Sequence, residues 1–92
     1  MTDGVVGNPE EMRQFAYHLN KFAMDLRTMD SQTKSRMNHL NQTWRDRKSQ
    51  EFTEKYQNTV RTLPPLIETL EGYSEYLKEA ASILDDFLKK KI

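Results

Sequence analysis

The residues of this 92-residue chain that could do chemistry are two histidines and two pairs of neighbouring acids. On one continuous helix, His18 and His39 would lie about 31 Å apart at 1.5 Å of rise per residue, so one chain cannot place both on one metal ion. The side chains within Glu10–Glu11 and within Asp85–Asp86 are adjacent, and adjacent helical side chains point to different faces. Neither pair has the arrangement that paired acid–base catalysis requires.

Other catalytic or ligand sites are equally hard to find. The chain has no Cys, which excludes disulfides, thiolate metal sites and Cys nucleophiles. It has no Gly-rich phosphate loop and no spacing of nucleophile, base and orienting residue. The 14 Lys and Arg residues balance the 14 Asp and Glu residues, so charge does not favour nucleic acid as a partner. We predict a non-enzymatic protein with no cofactor and no metal site.

Helical periodicity covers nearly the whole chain. Asn8, Pro9 and Glu11 form a typical helix start, in which Asn8 caps the first turn and Pro9 takes the first helical position. We predict a single domain over 1–92, with helix 1 at about 9–43, a turn at 44–47 and helix 2 at about 48–90.

Apolar residues follow two stripes on each helix, with steps of three and four residues. The main stripe predicts the seam of an antiparallel two-helix hairpin, and its members are Phe15, Leu19, Phe22, Leu26, Leu40, Phe52, Tyr56, Leu63, Leu66, Leu70, Tyr73, Leu77 and Leu84. The flanking stripe comprises Met12, Ala16, Ala23, Val60, Ile67 and Ala81. Because a lone hairpin needs one seam, we predict that the flanking stripe is a dimer face and that two hairpins form a four-helix bundle. The alternative is a monomer with a wide seam.

The predicted turn contains Trp44, Arg45 and Asp46 at the middle of the chain. Asp46 suits the N-cap of helix 2. Trp44 has two compatible interpretations: a plug that packs on Phe52, and a recognition residue, since large aromatics are frequent binding hot spots.

Pro64 and Pro65 fall inside the second helical pattern. Inside a helix each proline removes a hydrogen bond, at a cost of about 3 kcal/mol, and the residue before a proline avoids the helical region. We predict a kink in helix 2 near this pair. The alternative is a three-helix chain, in which segments at 47–62 and 65–90 follow the first helix.

Some features concern membranes and further partners. We expect no transmembrane helix, because no run of 18 apolar residues exists, and no cleaved signal peptide, because Met1–Pro9 lacks that pattern. Ser82–Ile92 is amphipathic and ends in Lys residues, which we interpret as a solvated helix end rather than a membrane-binding segment. Tyr17 and Tyr76 lie off the main stripe and are candidates for partner contact.

Together these features resemble the WXG (Trp-x-Gly) helical-hairpin family, the early-secreted-antigen-like small proteins of type VII secretion. The resemblance covers nearly the whole chain: the helix start at Asn8–Glu11, Leu40 before the turn, Trp44 within it, Phe52 after it and the heptads of helix 2. It implies an all-α hairpin that dimerises with itself or with a paralogous hairpin. It also implies a secreted effector, a secretion adaptor or an export-machine cofactor, without enzymatic activity.

Two departures from the family pattern stand out. Asp46 occupies the position of the family's glycine. The family's C-terminal signal, a Tyr followed four residues later by an acid, is not found, because Leu77 follows Tyr73 and Ala80 follows Tyr76 at that distance. Either a partner carries that signal, or this member is not exported by that machinery.

We therefore expect a non-catalytic WXG-like protein of a type VII-like secretion system, a secreted substrate or adaptor that acts as a dimer. It would leave the cell without a cleaved signal peptide. Expected partners besides a second hairpin are a secretion ATPase or a larger toxin cargo, and neither nucleic acid nor a membrane is expected. The alternative is a cytoplasmic helical adaptor, chaperone or assembly subunit that is not itself exported.

Overall fold

The chain folds into an all-α hairpin, as the computed structural model of residues 7–90 shows. Its helices are α1 (Pro9–Thr43), α2 (Arg47–Val60) and α3 (Leu63–Lys90). The first helix packs mainly along α3 and only lightly on α2. The predicted all-α hairpin with a bent second arm is confirmed. Residues 1–6 and the last two residues, Lys91 and Ile92, lie outside the described residues.

The hairpin is a rod rather than a sphere. Its extents are 70 × 23 × 17 Å and its radius of gyration is 20.9 Å. A compact domain of this length would have a radius of gyration of about 12 Å. A rod two helices thick has little interior, so its larger side chains cannot all be buried within one chain.

The start of α1 is capped as the sequence predicts. The side-chain oxygen of Asn8 accepts hydrogen bonds from the main-chain N–H groups of Glu10 and Glu11, at 2.9 and 3.2 Å. The Asn8 amide donates in turn to the Glu11 carboxylate at 3.3 Å. With Pro9 in the first turn, this cap satisfies orphan donors and places two acids at the positive end of the helix.

The bend in the second arm lies at Arg61 and Thr62, just before the two prolines. Pro64 and Pro65 fall in the first turn of α3. The N–H groups of a first turn have no intrahelical acceptor, so prolines there cost no helical hydrogen bond. The Thr62 hydroxyl donates to the Thr59 carbonyl at 2.8 Å and so provides a hydrogen-bond partner for one main-chain carbonyl at the end of α2. Helix 2, predicted as one kinked helix, is thus two segments separated by two residues.

The seam between α1 and α3 is lined by small side chains. The buried apolar residues of the hairpin are Ala16, Ala23, Met37, Ile67 and Ala81, and Ser49 of α2 and Ser74 of α3 are buried with them. Small residues allow helix backbones to approach closely, which large residues at the same positions would prevent. Asp30 occupies the seam position between Ala23 and Met37 and forms an ion pair with Lys34 at 3.0 Å.

This seam corrects the assignment of the two stripes. We predicted a dimer face at Met12, Ala16, Ala23, Val60, Ile67 and Ala81, but the three alanines are fully buried within one chain and Ile67 is 3% exposed. Met12 and Val60 are half-buried at the edge of the same seam. The prediction was wrong because periodicity alone does not tell which of two adjacent stripes faces inward, whereas close helix packing selects the small residues.

The predicted seam residues lie outside this line. Half-buried members flank it: Leu19, Leu26, Tyr56, Leu63, Leu70, Leu77 and Leu84. The exposed members are Phe15, Phe22, Leu40, Phe52, Leu66 and Tyr73. The assignment of these six to the hairpin seam was therefore wrong, since each leaves more than two fifths of its surface in solvent.

Ion pairs hold the two long helices together beside the seam. Arg27 on α1 donates to both carboxylate oxygens of Glu71 on α3, at 3.1 and 3.2 Å. Nearer the open end, Arg13 forms an ion pair with Asp85. The hydrogen bond to Asp85 raises the pKa of the Arg13 guanidinium. Because these side chains are partly exposed, we expect the ion pairs to add little to the stability of the hairpin and mainly to set the register of α1 against α3.

Candidate partner-binding face and Trp turn

Large apolar side chains lie on one side of the hairpin, and we call this set the apolar face. Its members are Phe15, Phe22, Met29 and Leu40 of α1, Phe52 of α2, and Leu66, Tyr73 and Phe87 of α3. Between 42% and 63% of each residue's surface is exposed. A stripe of large, exposed apolar residues is typical of a binding site for another protein.

Helix geometry explains why the two arms contribute to the same side. On α1, Phe22 directly precedes the buried Ala23, and on α3, Tyr73 directly precedes the buried Ser74. One residue is a turn of about 100° around a right-handed helix, so both aromatics are rotated from the seam in the same sense along their own helix. Because the helices are antiparallel, these two rotations bring the stripes to the same side of the rod.

Four other large exposed residues do not join this face. Tyr17 and Met24 directly follow Ala16 and Ala23, so they are rotated to the opposite side of α1. Tyr76 and Ile83 lie two residues after buried seam residues and face away from α1. Tyr17 and Tyr76 are well exposed, at 66% and 72%, and their role in partner contact stays a prediction.

The turn is shaped by hydrogen bonds on both sides of Trp44. The Trp44 main-chain N–H donates to the Leu40 carbonyl at 2.9 Å and ends α1. The Arg45 Nε donates to the Asn41 carbonyl at 3.2 Å. The Asp46 carboxylate accepts from the Ser49 N–H at 2.9 Å, and the Ser49 hydroxyl donates to the Asp46 carbonyl at 2.7 Å. Both helix ends at the turn therefore have partners.

The Trp44 ring packs on Phe52 and extends the apolar face to the turn end of the rod. The two ring centroids lie 6.1 Å apart with an interplanar angle of 38°. Trp44 is half-buried, so one part of the indole supports the turn and another part is accessible to solvent. Beside it, an open groove between the end of α1 and α2 is lined by Asn41, Thr53 and Gln57.

The residues that could do chemistry are not brought together. His18 and His39 are both exposed on α1. Over residues 7–90 no group of three or more His, Cys, Asp or Glu side chains could hold a metal ion. In the same part of the chain, no helix is long and apolar enough to cross a bilayer.

Most of this chain matches a known protein family. The model of the family WXG100, described as "Proteins of 100 residues with WXG", matches residues 6–87. The chain belongs to the WXG100 family. The match includes the capped start of α1, the Trp turn and the apolar face up to Phe87. No curated protein and no solved structure gives a significant match.

Membership of the WXG100 family associates this chain with type VII secretion as a small helical protein. Proteins of the WXG100 family pair with hairpin partners, are secreted by type VII systems and are not enzymes. The glycine that gives the family its name is replaced by Asp46, whose φ is −85°. A residue with this backbone conformation does not need to be glycine, and Asp46 adds a cap that glycine lacks.

Two seam residues, Ser49 and Ser74, were missed in the sequence because they are polar. Ser74 lies seven residues from both Ile67 and Ala81, so the heptad spacing of small residues was the available signal. Ser49 lies four residues from Thr53, whose hydroxyl accepts from the Asn41 amide at 3.2 Å. Polar contacts thus join α1 and α2 near the turn, in addition to the packing of Trp44 on Phe52.

Proposed function

We propose that this chain is a non-catalytic hairpin of a type VII-like secretion system that pairs with a second hairpin through its apolar face. The pair is either a secreted substrate of that system or an adaptor for a larger toxin cargo. The Trp turn supports recognition by the export machinery, for which a secretion ATPase is the expected partner.

The observation that carries this proposal is the distribution of apolar residues. The chain buries mainly alanines and serines and leaves its large aromatic residues, such as Phe22 and Tyr73, about half exposed. Burial of apolar surface is the main favourable term in folding and in association. A second hairpin on this face would convert the exposed stripe into the core of a four-helix bundle.

The Trp turn supports the export part of the proposal. Trp44 is held by main-chain contacts and by Phe52, and yet it is accessible at one tip of the rod. A rigid, partly exposed aromatic loses little side-chain freedom on binding, which suits a recognition residue. Arg45 is exposed beside it and adds a charged, hydrogen-bonding group to the same tip.

One observation favours a second candidate, a cytoplasmic adaptor or chaperone that is not itself exported. The residues four positions after Tyr73 and Tyr76 are Leu77 and Ala80, so neither tyrosine forms the family's tail signal. In this candidate the same apolar face would hold a cargo helix inside the cell. The two candidates differ in location and not in fold.

Location is therefore the test. The protein would be detected with an antibody in culture medium and in cells of its native host, with a cytoplasmic protein as the lysis control. Three variants would be compared: Trp44→Ala, Phe22→Glu on the apolar face, and Met24→Glu as a control of similar exposure on the opposite side.

The proposal predicts native protein in the medium, loss of export for the first two variants and normal export for the Met24 control. Native protein and Met24→Glu confined to the cell would favour the cytoplasmic adaptor. Export of Phe22→Glu at the native level would contradict the role of the apolar face.

A further inference from the structure

The side of α3 that faces away from α1 carries a second line of residues, which we call the outer stripe. Each member lies two positions before or after a buried seam residue of α3 and is therefore rotated by about 200° from the seam. All members are exposed, and they are Pro65, Thr69, Gly72, Tyr76, Glu79 and Ile83. Tyr76 and Ile83 leave 72% and 68% of their surface in solvent, more than any residue of the apolar face. Large apolar side chains are thus exposed on a second side of the rod.

The corresponding side of α1 has a different composition. The positions two residues away from its seam residues are all polar and exposed, and they are Gln14, His18, Lys21, Asp25, Thr28, Gln32, Ser35 and His39. A helix face that contacts only solvent normally consists of such residues. The outer side of α1 therefore has the composition of a solvated face, and the outer side of α3 does not.

Gly72 lies in the middle of the outer stripe, and nothing within the chain requires glycine there. Its backbone is helical, without a positive φ, and a Cβ atom at this position would meet no other group within 4 Å. Glycine is among the least favourable residues in a helix interior, so Gly72 lowers the stability of α3 without a compensating contact in the hairpin. A local rule broken in this way is expected at functional sites. The absent side chain leaves a notch between Thr69 and Tyr76 that allows another helix to approach closely.

The outer stripe lies in an acidic part of the chain. Residues 65–86 include six Asp and Glu residues and one Lys, which leaves a net charge of −5. The single cation, Lys78, forms an ion pair with Glu75 at 3.2 Å. Glu68 borders the stripe and Glu79 belongs to it, and both are exposed and form no ion pair with another residue of 7–90. This charge favours a basic partner and disfavours nucleic acid and anionic lipid.

We propose that the outer stripe of α3 is a second docking site and that it binds a basic amphipathic helix of another protein. From Pro65 to Ile83 the members are spaced by four and three residues, the spacing of side chains that pack against a helix. The stripe is about 27 Å long at 1.5 Å per residue, so a partner helix of about 18 residues covers it. A small residue of that helix lies on the Gly72 notch, and its apolar residues lie on Tyr76. Its Lys or Arg residues lie along the edge that carries Glu68.

This site goes beyond the proposed function, because it does not involve the apolar face. Residues of the apolar face, such as Tyr73, are rotated by about 100° from the seam, whereas the outer stripe is rotated by about 200°. A hairpin bound on the apolar face therefore leaves the outer stripe accessible. One chain can hold a second hairpin and a basic helix at the same time.

Photo-cross-linking in the native host identifies what the outer stripe binds. The photoreactive amino acid p-benzoylphenylalanine is incorporated in place of Tyr76 and, in a control strain, in place of His18 on the polar outer side of α1. Cross-linked peptides are then identified by mass spectrometry. We expect an adduct at position 76 with a segment of another protein that has helical apolar periodicity and Lys or Arg along one edge. The same segment should give no adduct at position 18.

The cross-linked segment, synthesised as a peptide, is then titrated onto purified variants and followed by fluorescence anisotropy. Gly72→Gln fills the notch and should weaken peptide binding about tenfold or more. Because glutamine is a better helix former than glycine, the same variant should unfold at a temperature a few degrees higher than the native chain. Opposite effects on binding and on stability separate docking from a structural role. Thr28→Gln, at the matched position of α1, is the control and should leave peptide binding unchanged.

Charge reversal tests the acidic edge with the same peptide. Glu68→Lys combined with Glu79→Lys should weaken binding about tenfold or more at low ionic strength, and the difference should decrease at high ionic strength. Asp25→Lys combined with Glu54→Lys changes the net charge equally but away from the outer stripe, so it should bind the peptide nearly as the native chain does. Phe22→Glu on the apolar face should also bind it normally.

The inference is overturned if position 76 gives no protein adduct, or if the adduct is a second copy of this chain or a segment without cations. It is also overturned if Gly72→Gln binds the peptide as tightly as the native chain, or if Phe22→Glu abolishes peptide binding, since the stripe would then act only as part of the apolar face. Normal export of Phe22→Glu, with peptide binding intact, would contradict the proposed function and leave docking at the outer stripe standing.

Discussion

Ser74 of α3 donates its side-chain hydroxyl to the main-chain carbonyl oxygen of Ala16 on α1, over 2.8 Å. Ser74 is 1% exposed and Ala16 is completely buried. A side chain as short as serine reaches the backbone of another helix only where the two helices are very close. This contact therefore shows that α1 and α3 approach each other closely here, which leaves no room for larger side chains between them.

Substitutions of Ser74 should separate the hydrogen bond from the close approach. Ser74→Ala keeps the space but removes the bond, so the free energy of unfolding should fall by about 1 kcal/mol. Ser74→Leu should separate the helices, at a cost of about 1–3 kcal/mol. Denaturant unfolding followed by circular dichroism measures both. Equal losses would mean that helix spacing is not what Ser74 secures.

Two adjacent residues of α1 should respond oppositely to the same charge. Ala23 is fully buried in the seam, so Ala23→Glu places an unpaired charge inside the hairpin and should destabilise it by about 3 kcal/mol or more. Phe22 is 51% exposed on the apolar face, so Phe22→Glu should leave the monomer folded and abolish pairing. Thermal unfolding and sedimentation of both variants distinguish these effects. A folded, monomeric Ala23→Glu would show that Ala23 belongs to the intermolecular face after all.

Trp44→Ala should change recognition more than folding. The main-chain N–H of residue 44 still caps α1 through the Leu40 carbonyl, so helicity should be nearly unchanged. Loss of the ring contact with Phe52 should lower the free energy of unfolding by about 1 kcal/mol, in addition to the contribution of the apolar area that the ring buries. Circular dichroism and the export assay measure the two properties separately. Complete unfolding of this variant would make the ring a structural plug and would argue against recognition.

Asp46 should stabilise the turn through its side chain. Asp46→Ala removes the acceptor of the Ser49 N–H and should lower the free energy of unfolding by about 1 kcal/mol. Asp46→Gly restores the glycine of the family motif and should cost only a few tenths of a kcal/mol, because glycine is also accepted at N-caps. Thermal unfolding of both variants is the measurement, and Arg47→Ala serves as the exposed control. If the glycine variant were the less stable of the two, the cap would not explain the departure from the family motif.

The elements of this fold could be read from the sequence, because local rules set them. Asn8 and Asp46 are capping residues with short side chains, and both cap the helices where the pattern places them. The bend before Pro64 follows from the missing N–H groups of proline. Trp44 ends α1 at the point where the apolar periodicity stops. These features depend on residues within about one helical turn of each other.

The faces of the helices could not be read with the same success. Phe22 and Ala23 belong to adjacent stripes with the same heptad spacing, and hydrophobicity alone favours the larger residue for the seam. Which stripe faces inward depends on how closely α1 and α3 approach each other. That approach involves Ser74 and Ala16, which are 58 residues apart in the sequence. Heptads made of small residues, rather than of large ones, were the signal for the intrachain seam.

The break at Arg61 and Thr62 has a mechanical consequence. At that level of the rod α1 alone is continuous, from Pro9 to Thr43, and α2 packs only lightly on it. The bending stiffness of the hairpin there is close to that of a single α-helix, whereas along α3 two packed helices resist bending together. The position of Trp44 relative to the open end of the rod, where Phe15 lies, therefore depends on how straight α1 is.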